Sequence, residues 1–373
     1  MTIAVILLSV FALCVMAAAL VDIVPAVRTW LSRIGIGSLA QDQAQSRMRA
    51  VALRWLRKMP AVPVSDQTRF TLPARLRGTY KNRTLQSWQQ GALLLGVQQA
   101  GQTAAVQAAQ QSILTPDGRW KQPVDRPDIA LLAYALLCGA EDTQKVRPAM
   151  DAVYSFLKEQ AGDGTVPYTP RAPALRFVDT VGMVCPFLSL YAQTYHVPQA
   201  AQIAVRQLEE YTRLGLHPAT GLPAHAVRVP EGVPLGIYGW GRGCGWYALA
   251  LSEMLRCSMD VLPAAQRFAK SILPLQQPDG AWSRQLYAET GVESTATAML
   301  GHLMAVLYTQ THEEVYLTSA RKAAQFLYTA TRKNGEVDWA QGDTKGIGFY
   351  SARFTSAPAA QGFALLLTEE LDA

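Results

Sequence analysis

The sequence predicts an all-α protein: an (α/α)6 toroid of six helical hairpins preceded by one N-terminal transmembrane helix. Three observations carry that expectation. A glycine turn followed by an aromatic or small apolar residue returns along the chain as PDGRW, GDGTVPY, ATGLPAH, PDGAW and KNGEVDW, centred on Gly118, Gly164, Gly221, Gly280 and Gly335. That spacing, about 46 to 59 residues, is too long for short helical repeats and suits a helix, a turn and a second helix with long loops. Before each turn lies an amphipathic segment and after it a more apolar one, while little of the chain alternates with period two.

The first element is TIAVILLSVFALCVMAAALV, about twenty residues without a charge, the length that spans a bilayer as a helix. Residues 1–27 are expected to be the anchor, with 3–21 inside the membrane, and 28–42 a basic juxtamembrane linker. A cleaved signal peptide is the alternative, with Ala17-Ala18-Ala19 as a small-residue cleavage site, but no positive n-region precedes the apolar run. Basic residues lie only on its C-terminal side (Arg28, Arg33, Arg47, Arg49), which by the positive-inside rule places the body on the cytoplasmic side of an inner membrane.

The body, 43–373, divides into six pairs of segments, the amphipathic member outside and the apolar one inside. They are 43–59 with 84–101, 102–114 with 128–137, 146–160 with 179–195, 199–214 with 245–255, 263–276 with 293–310, and 314–331 with 357–371. In a closed ring of hairpins the inner helices begin near one rim, so polar and aromatic residues at their starts converge on a single cleft.

Composition narrows the function. The chain of 373 residues is 50% apolar and 17% charged with a net charge of +6, and the excess is local: about twelve Lys/Arg lie between Arg28 and Arg83 against Asp42 and Asp66. A basic collar beside an apolar span suits an anionic membrane surface rather than nucleic acid. The five cysteines show no CxxC or metal-ligand spacing and the five histidines no HExxH pattern, so neither a metal nor another cofactor is expected. GxSxG and GxxxxGK[ST] are absent.

The rim residues are Trp88; Asp125 and Asp128; Arg176 and Asp179; Trp240, Arg242 and Trp246; Glu293; and, in loops, His225 and Trp282. Asp179, in FVDTVGMVCPF, has apolar neighbours that raise a carboxyl pKa and make it a usable proton donor, though an Asp before an apolar helix is also a routine N-cap. Asp125, in VDRPD, supports a pair of carboxylates; capping or turn chemistry before Pro127 is the plainer reading, and Asp128 competes for the role. In WGRGCGW, residues 240–246, glycines admit close backbone approach, the indoles of Trp240 and Trp246 offer stacking faces, and Arg242 matches a carboxylate; tight helix packing is the alternative. His225 can serve as hydrogen-bond donor, proton carrier or plain loop residue.

In order, RFVDTVGMVCPFLSLYA, GLPAHAV, YGWGRGCGW, DGAWSRQL and ESTATAMLGHL resemble the motifs of glycoside hydrolase families 88 and 105, the unsaturated uronyl hydrolases, over roughly residues 45 to 371. The resemblance implies Asp179 as general acid and base, Asp125 as the second carboxylate, and His225, Trp240, Arg242 and Trp246 as substrate contacts. Trp88 and Trp282 join the expected sugar-binding set. It implies vinyl-ether hydration: a proton to C4 of a 4,5-unsaturated uronic acid, water to C5, and release of the neighbouring sugar from a hemiketal. Two departures stand out. Cys244 occupies the place where the family has Asn, and the surroundings of Asp125 are irregular; both fit an altered specificity or a lost activity. With the anchor, the expected setting is a membrane machine that makes or exports an acidic polysaccharide. The alternatives are a non-catalytic glycan-binding subunit, or another (α/α)6 enzyme such as a polysaccharide lyase.

Overall fold

The structure, a computed structural model, describes residues 2–60, 62–81, 86–288 and 290–372. Residues 84 and 85, at the expected start of the first inner helix, and residue 373, at the expected end of the body, lie outside them. Helix α1 (Thr2–Arg33) is followed by α2 (Gln41–Arg57), the short α3 (Leu72–Leu76), α4 (Gln86–Gln99), α5 (Thr103–Ile113), α6 (Ile129–Cys138) and α7 (Thr143–Ala161). After them come α8 (Val178–Tyr195), α9 (Pro198–Gly215), α10 (Gly241–Arg256), α11 (Leu262–Ile272), α12 (Ser294–Thr311), α13 (Glu314–Thr329) and α14 (Pro358–Asp372).

Five of the inner helices, α6, α8, α10, α12 and α14, follow the glycine turns, and α4 is the sixth. In α6 every residue from Ile129 to Leu137 is buried, as a helix packed on all sides must be. The outer α9 instead buries one stripe, Ala200, Ile203, Ala204, Gln207, Leu208 and Tyr211, at helical spacing. Inner helices pack α4 on α6, α6 on α8, α8 on α10, α10 on α12, α12 on α14, and α14 back on α4, closing the ring. At that seam a Cβ on Gly96 would lie 2.3 Å from the Gly362 carbonyl oxygen, and one on Gly362 2.1 Å from that of Ala92, so only glycine allows this approach.

The repeated turns have a second duty. Gly118, Gly280 and Gly335 have φ of +75°, +93° and +87°, and each sits against a backbone carbonyl of the next outer helix: Lys145 in α7, Lys322 in α13 and, across the seam, Arg47 in α2. Side chains are excluded there on both counts, left-handed backbone and lack of space.

α1 is long and apolar enough, by length and composition, to cross a membrane. It runs past residue 27 to Arg33, so part of the expected linker 28–42 is helix, and its end is docked. Arg33 donates to both Asp338 oxygens (2.6 and 2.9 Å) and to the Phe354 carbonyl (2.7 Å), and its guanidinium stacks 4.6 Å from the Trp339 ring. Short strands β1 (Leu175–Phe177), β2 (Ala226–Arg228) and β3 (Val233–Leu235) form one antiparallel sheet, and β4 (Ala340–Gln341) with β5 (Phe354–Thr355) another.

Candidate active site

The rim where the inner helices begin carries a cleft of about 250 Å³. Its walls include Trp88, Asp128, Asp179, His225, Arg242 and Trp246, drawn from four inner helices and the loops before them. Strand pairing assembles its centre. β1 ends at Phe177, paired with Ala226 of β2, and the Val178 N–H donates to the His225 carbonyl at 3.0 Å. Asp179, in the first turn of α8, therefore lies with its Oδ2 3.8 Å from His225 Nε2, near but beyond hydrogen-bond distance.

Helix capping does not account for these carboxylates. Asp179 is inside α8, whose N-cap position is Phe177, and Asp128 stands at the N-cap of α6 with no side-chain cap bond. Among the carboxylates expected at the rim, the one that caps is Glu293: its Oε2 accepts from the Ala296 N–H at 2.5 Å and its Oε1 from the Gln341 N–H at 2.9 Å, fixing β4 to the start of α12. Asp125 is exposed and outside the cleft lining, so the place expected for it is taken by Asp128, three residues on, which is 5% exposed.

Burial dominates the electrostatics. It pushes Asp179 up to about 6, opposed by the Arg242 charge, a backbone hydrogen bond and the Trp246 indole. Asp128 is raised by burial against the pull of Arg126, whose Nε lies 3.3 Å from its Oδ1. His225 is lowered to about 4 by burial and by Arg242, so its imidazole is neutral at physiological pH. Asp128 Oδ2, Asp179 Oδ2, His225 Nδ1 and Trp246 Nε1 are all buried without a hydrogen-bond partner of normal geometry among the described residues. Unsatisfied buried polar atoms cost about 1–3 kcal/mol each, and four around one cavity mark a place built for a polar ligand.

The aromatic set divides. Trp88 and Trp246 line the cleft, edge to face at 5.4 Å. Trp240 is 1% exposed and stands behind His225, ring centroids 4.7 Å apart, with its Nε1 donating to Gln341 Oε1 at 2.9 Å. Trp282 is core: fully buried, its Nε1 bonded to the Ile272 carbonyl at 2.9 Å. Both were expected at the sugar, and neither lines the cleft. Arg242 uses three of its donors within the protein, on the Gln341 carbonyl (2.6 Å), the Gly342 carbonyl (3.0 Å) and Thr344 Oγ1 (2.9 Å). It thus pins the cleft-lining loop 342–346 instead of offering a two-pronged fork to a ligand. Cys244 is wholly buried in the core rather than at the rim.

With that geometry in place, the model of Glycosyl Hydrolase Family 88 matches residues 77–371. The chain belongs to glycosyl hydrolase family 88. Solved structures with the same fold include a possible GH105 member from Salmonella enterica serovar Paratyphi A (17% identity, 89% of this chain, 94% of that one, TM-score 0.73). The unsaturated glucuronyl hydrolase of Bacillus sp. GL1, described as responsible for the degradation of glycosaminoglycan, aligns with TM-score 0.63 at 16% identity over 88% and 96% of the two chains. An unsaturated glucuronyl hydrolase specific for heparin aligns at 0.66 and 12% identity over 89% and 97%. A search of the curated proteins finds no match to the sequence.

Within this family 88 fold, sequence reasoning missed the loop from Asp343 to Gly346 and the ring of Tyr168, which also line the cleft. Tyr168 had a signal, since it closes the second glycine turn, GDGTVPY. The loop had a weaker one, an Asp and a Lys set between glycines in GDTKG. Burial raises the Asp343 pKa, with Arg242 opposing and Asp179 adding to it.

Proposed function

We propose that this family 88 glycoside hydrolase removes a 4,5-unsaturated uronic acid from the non-reducing end of acidic oligosaccharides, held at a membrane by α1. One observation carries the reading: Asp179, lifted to about 6 by burial, presents an unpartnered Oδ2 to a cleft of about 250 Å³. Asp179 gives its proton to C4 of the unsaturated ring; as the carboxylate it then takes a proton from the water that adds at C5. The hemiketal so formed opens and releases the neighbouring sugar. Asp128 is the second carboxylate, in place of Asp125. Neutral His225 donates or accepts a hydrogen bond without adding charge, and the indoles of Trp88 and Trp246 wall the ring. Arg242 favours the uronate carboxylate by its field, since much of its fork is bonded to the loop. The cavity is smaller than the ~300–1,000 Å³ of sites for larger ligands, which suits a single terminal ring. With α1 in an inner membrane and the body on the cytoplasmic side, such an enzyme fits beside proteins that make or export an acidic polysaccharide.

The test follows the ultraviolet band of the conjugated enol ether while the full chain, in detergent, acts on lyase-generated unsaturated glucuronyl and galacturonyl disaccharides. The expected result is loss of the band, a ranking of the two sugars, and a drop of about 10²–10⁴-fold in Asp179→Asn. Because the protonated acid is the reactive form, kcat/KM should fall as pH rises through about 6. An unchanged band with both sugars, or full activity in Asp179→Asn, overturns the assignment.

A further inference from the structure

We infer that α3 and its flanking turns form a second membrane contact, a basic and apolar foot that rests on an anionic bilayer surface beside α1 and steadies the rim of the cleft. The inference rests on the proposed reading of α1 as an anchor.

Position comes first. Residues 3–21 carry no charge, and at 1.5 Å per residue that stretch of α1 measures about 28 Å, close to the hydrocarbon thickness of a bilayer. Asp22 is the first charged residue, and it is where α3 is tied on. The Thr71 hydroxyl donates to Asp22 Oδ1, and the Thr71 backbone N–H lies 3.3 Å from both carboxylate oxygens. α3 is thereby held at the level where the apolar span meets the headgroups.

Its composition fits that level. Phe70 and Leu76 are 81% and 79% exposed, and around them stand Arg69, Arg75, Arg77 and Lys81, with no acidic residue from Gln67 to Arg83. Each basic residue near an anionic leaflet adds attraction, and exposed aromatic and aliphatic side chains enter the interface. The backbone points the same way. Phe70 has φ of 53°, a left-handed conformation that a bulky residue adopts only under strain, at a site where Asn or Gly would suit the turn better. An aromatic kept there, in water, contributes nothing to the core. A protein partner would suit the apolar pair alone; the basic ring and the apolar span tied to the same helix favour a lipid surface.

The foot is fastened to the cleft on both sides. Before α3, Asp66 accepts from Lys345 Nζ (2.8 Å), Ser351 Oγ (2.5 Å) and the Ala352 N–H (3.0 Å). After it, the Tyr80 hydroxyl accepts from Arg353 Nη1 at 3.0 Å. Lys345 itself lines the cleft. Seating the foot therefore restrains the segment 343–353 and sets the cleft rim next to the bilayer, where an acidic glycan presented at the membrane would meet it.

The experiment uses the full chain. Alkaline carbonate extraction of membranes first reports on α1: release into the supernatant sinks the anchor, and this inference with it. If the chain stays in the pellet, hydrogen–deuterium exchange is compared in nanodiscs containing phosphatidylserine, in nanodiscs of phosphatidylcholine alone, and in detergent. Peptides covering 66–81 should exchange at least ~10-fold more slowly in the anionic discs, with slower exchange also across 343–353. The double variant Phe70→Asn/Leu76→Ser should lose that protection while melting no lower than the parent, and Arg69→Gln/Arg77→Gln should lose its dependence on phosphatidylserine. Equal exchange in all three media, with the anchor retained, overturns the foot and leaves the anchor standing. Protection that survives both double variants also overturns it.

Discussion

A carboxyl group whose side chain keeps 18% exposure to the cleft, and whose pKa stands near 6, is in an unfavourable state once ionised. The folded protein holds that proton more tightly than the unfolded chain, so the site lowers stability as pH rises from about 4 to about 6, and the loss persists above. Asp179→Asn should accordingly raise stability by about 1–3 kcal/mol at pH 7.5 and by nothing below pH ~4, read from denaturant midpoints at the two values. A variant that loses both activity and stability would mean that Asp179 is structural. The neighbouring pair separates by a similar comparison. Asp125→Asn, at an exposed position, should leave kcat/KM within about twofold, whereas Asp128→Asn, inside the cleft, should lower it about 10–100-fold. The reverse ranking would restore Asp125 to the site. That choice was not legible in the sequence, because both residues stand within a turn of the start of α6 and both satisfy the same turn chemistry. The indoles show the same limit: Trp246 faces the cleft and Trp282 the core, though both accompany a glycine near an inner-helix start.

At the scale of elements, the seam between α4 and α14 is the place where a methyl group does most damage. Gly362→Ala puts a Cβ about 2.1 Å from the Ala92 carbonyl, backbone that cannot swing aside. The expected loss is about 2–4 kcal/mol, measured as a lowered denaturant midpoint; an unaltered midpoint would mean that the two helices slide freely. The alternation of inner and outer helices was readable, since burial on all sides and burial along one stripe leave different periodicities, as in α6 and α9. So were the turn glycines, because left-handed backbone at Gly118, Gly280 and Gly335 selects that residue. α3, five residues long, is too short to show a period, and strands of two or three residues cannot reveal alternation. What they contribute, the docking of α1 and the pairing that sets His225 beside Asp179, comes from tertiary contact.

For the whole molecule, a buried network crosses the ring from α6 to α14. His302 lies 2.5 Å from Glu253 through Nε2 and 2.5 Å from Glu370 through Nδ1, Tyr134 donates to Glu253, and Arg256 bonds Glu370 at 3.0 Å. Burial alone would lower the His302 pKa, but the two carboxylates outweigh it and raise it to about 9; Glu253, which burial would raise, falls to about 2 beside His302 and Arg256. A raised histidine stabilises fully below about 6.5 and ceases to as pH climbs through about 9; a lowered glutamate stabilises above about 4.5 and ceases to as pH drops through about 2. Stability from this network should therefore plateau between about pH 4.5 and 6.5. His302→Gln should cost about 3–5 kcal/mol at pH 6 and flatten the decline in melting temperature above neutrality. A parent protein that melts equally at pH 6 and 9.5 would show the network to be inert. Closing a ring at Gly96 and Gly362 also sets an order of events during synthesis. The surface of α4 that meets α14 waits uncovered until α14 itself has left the ribosome, so this one seam joins residues far apart in sequence however local each hairpin is. A polypeptide stalled before α14 would be a crescent with two apolar edges, the form that chaperones bind and proteases cut.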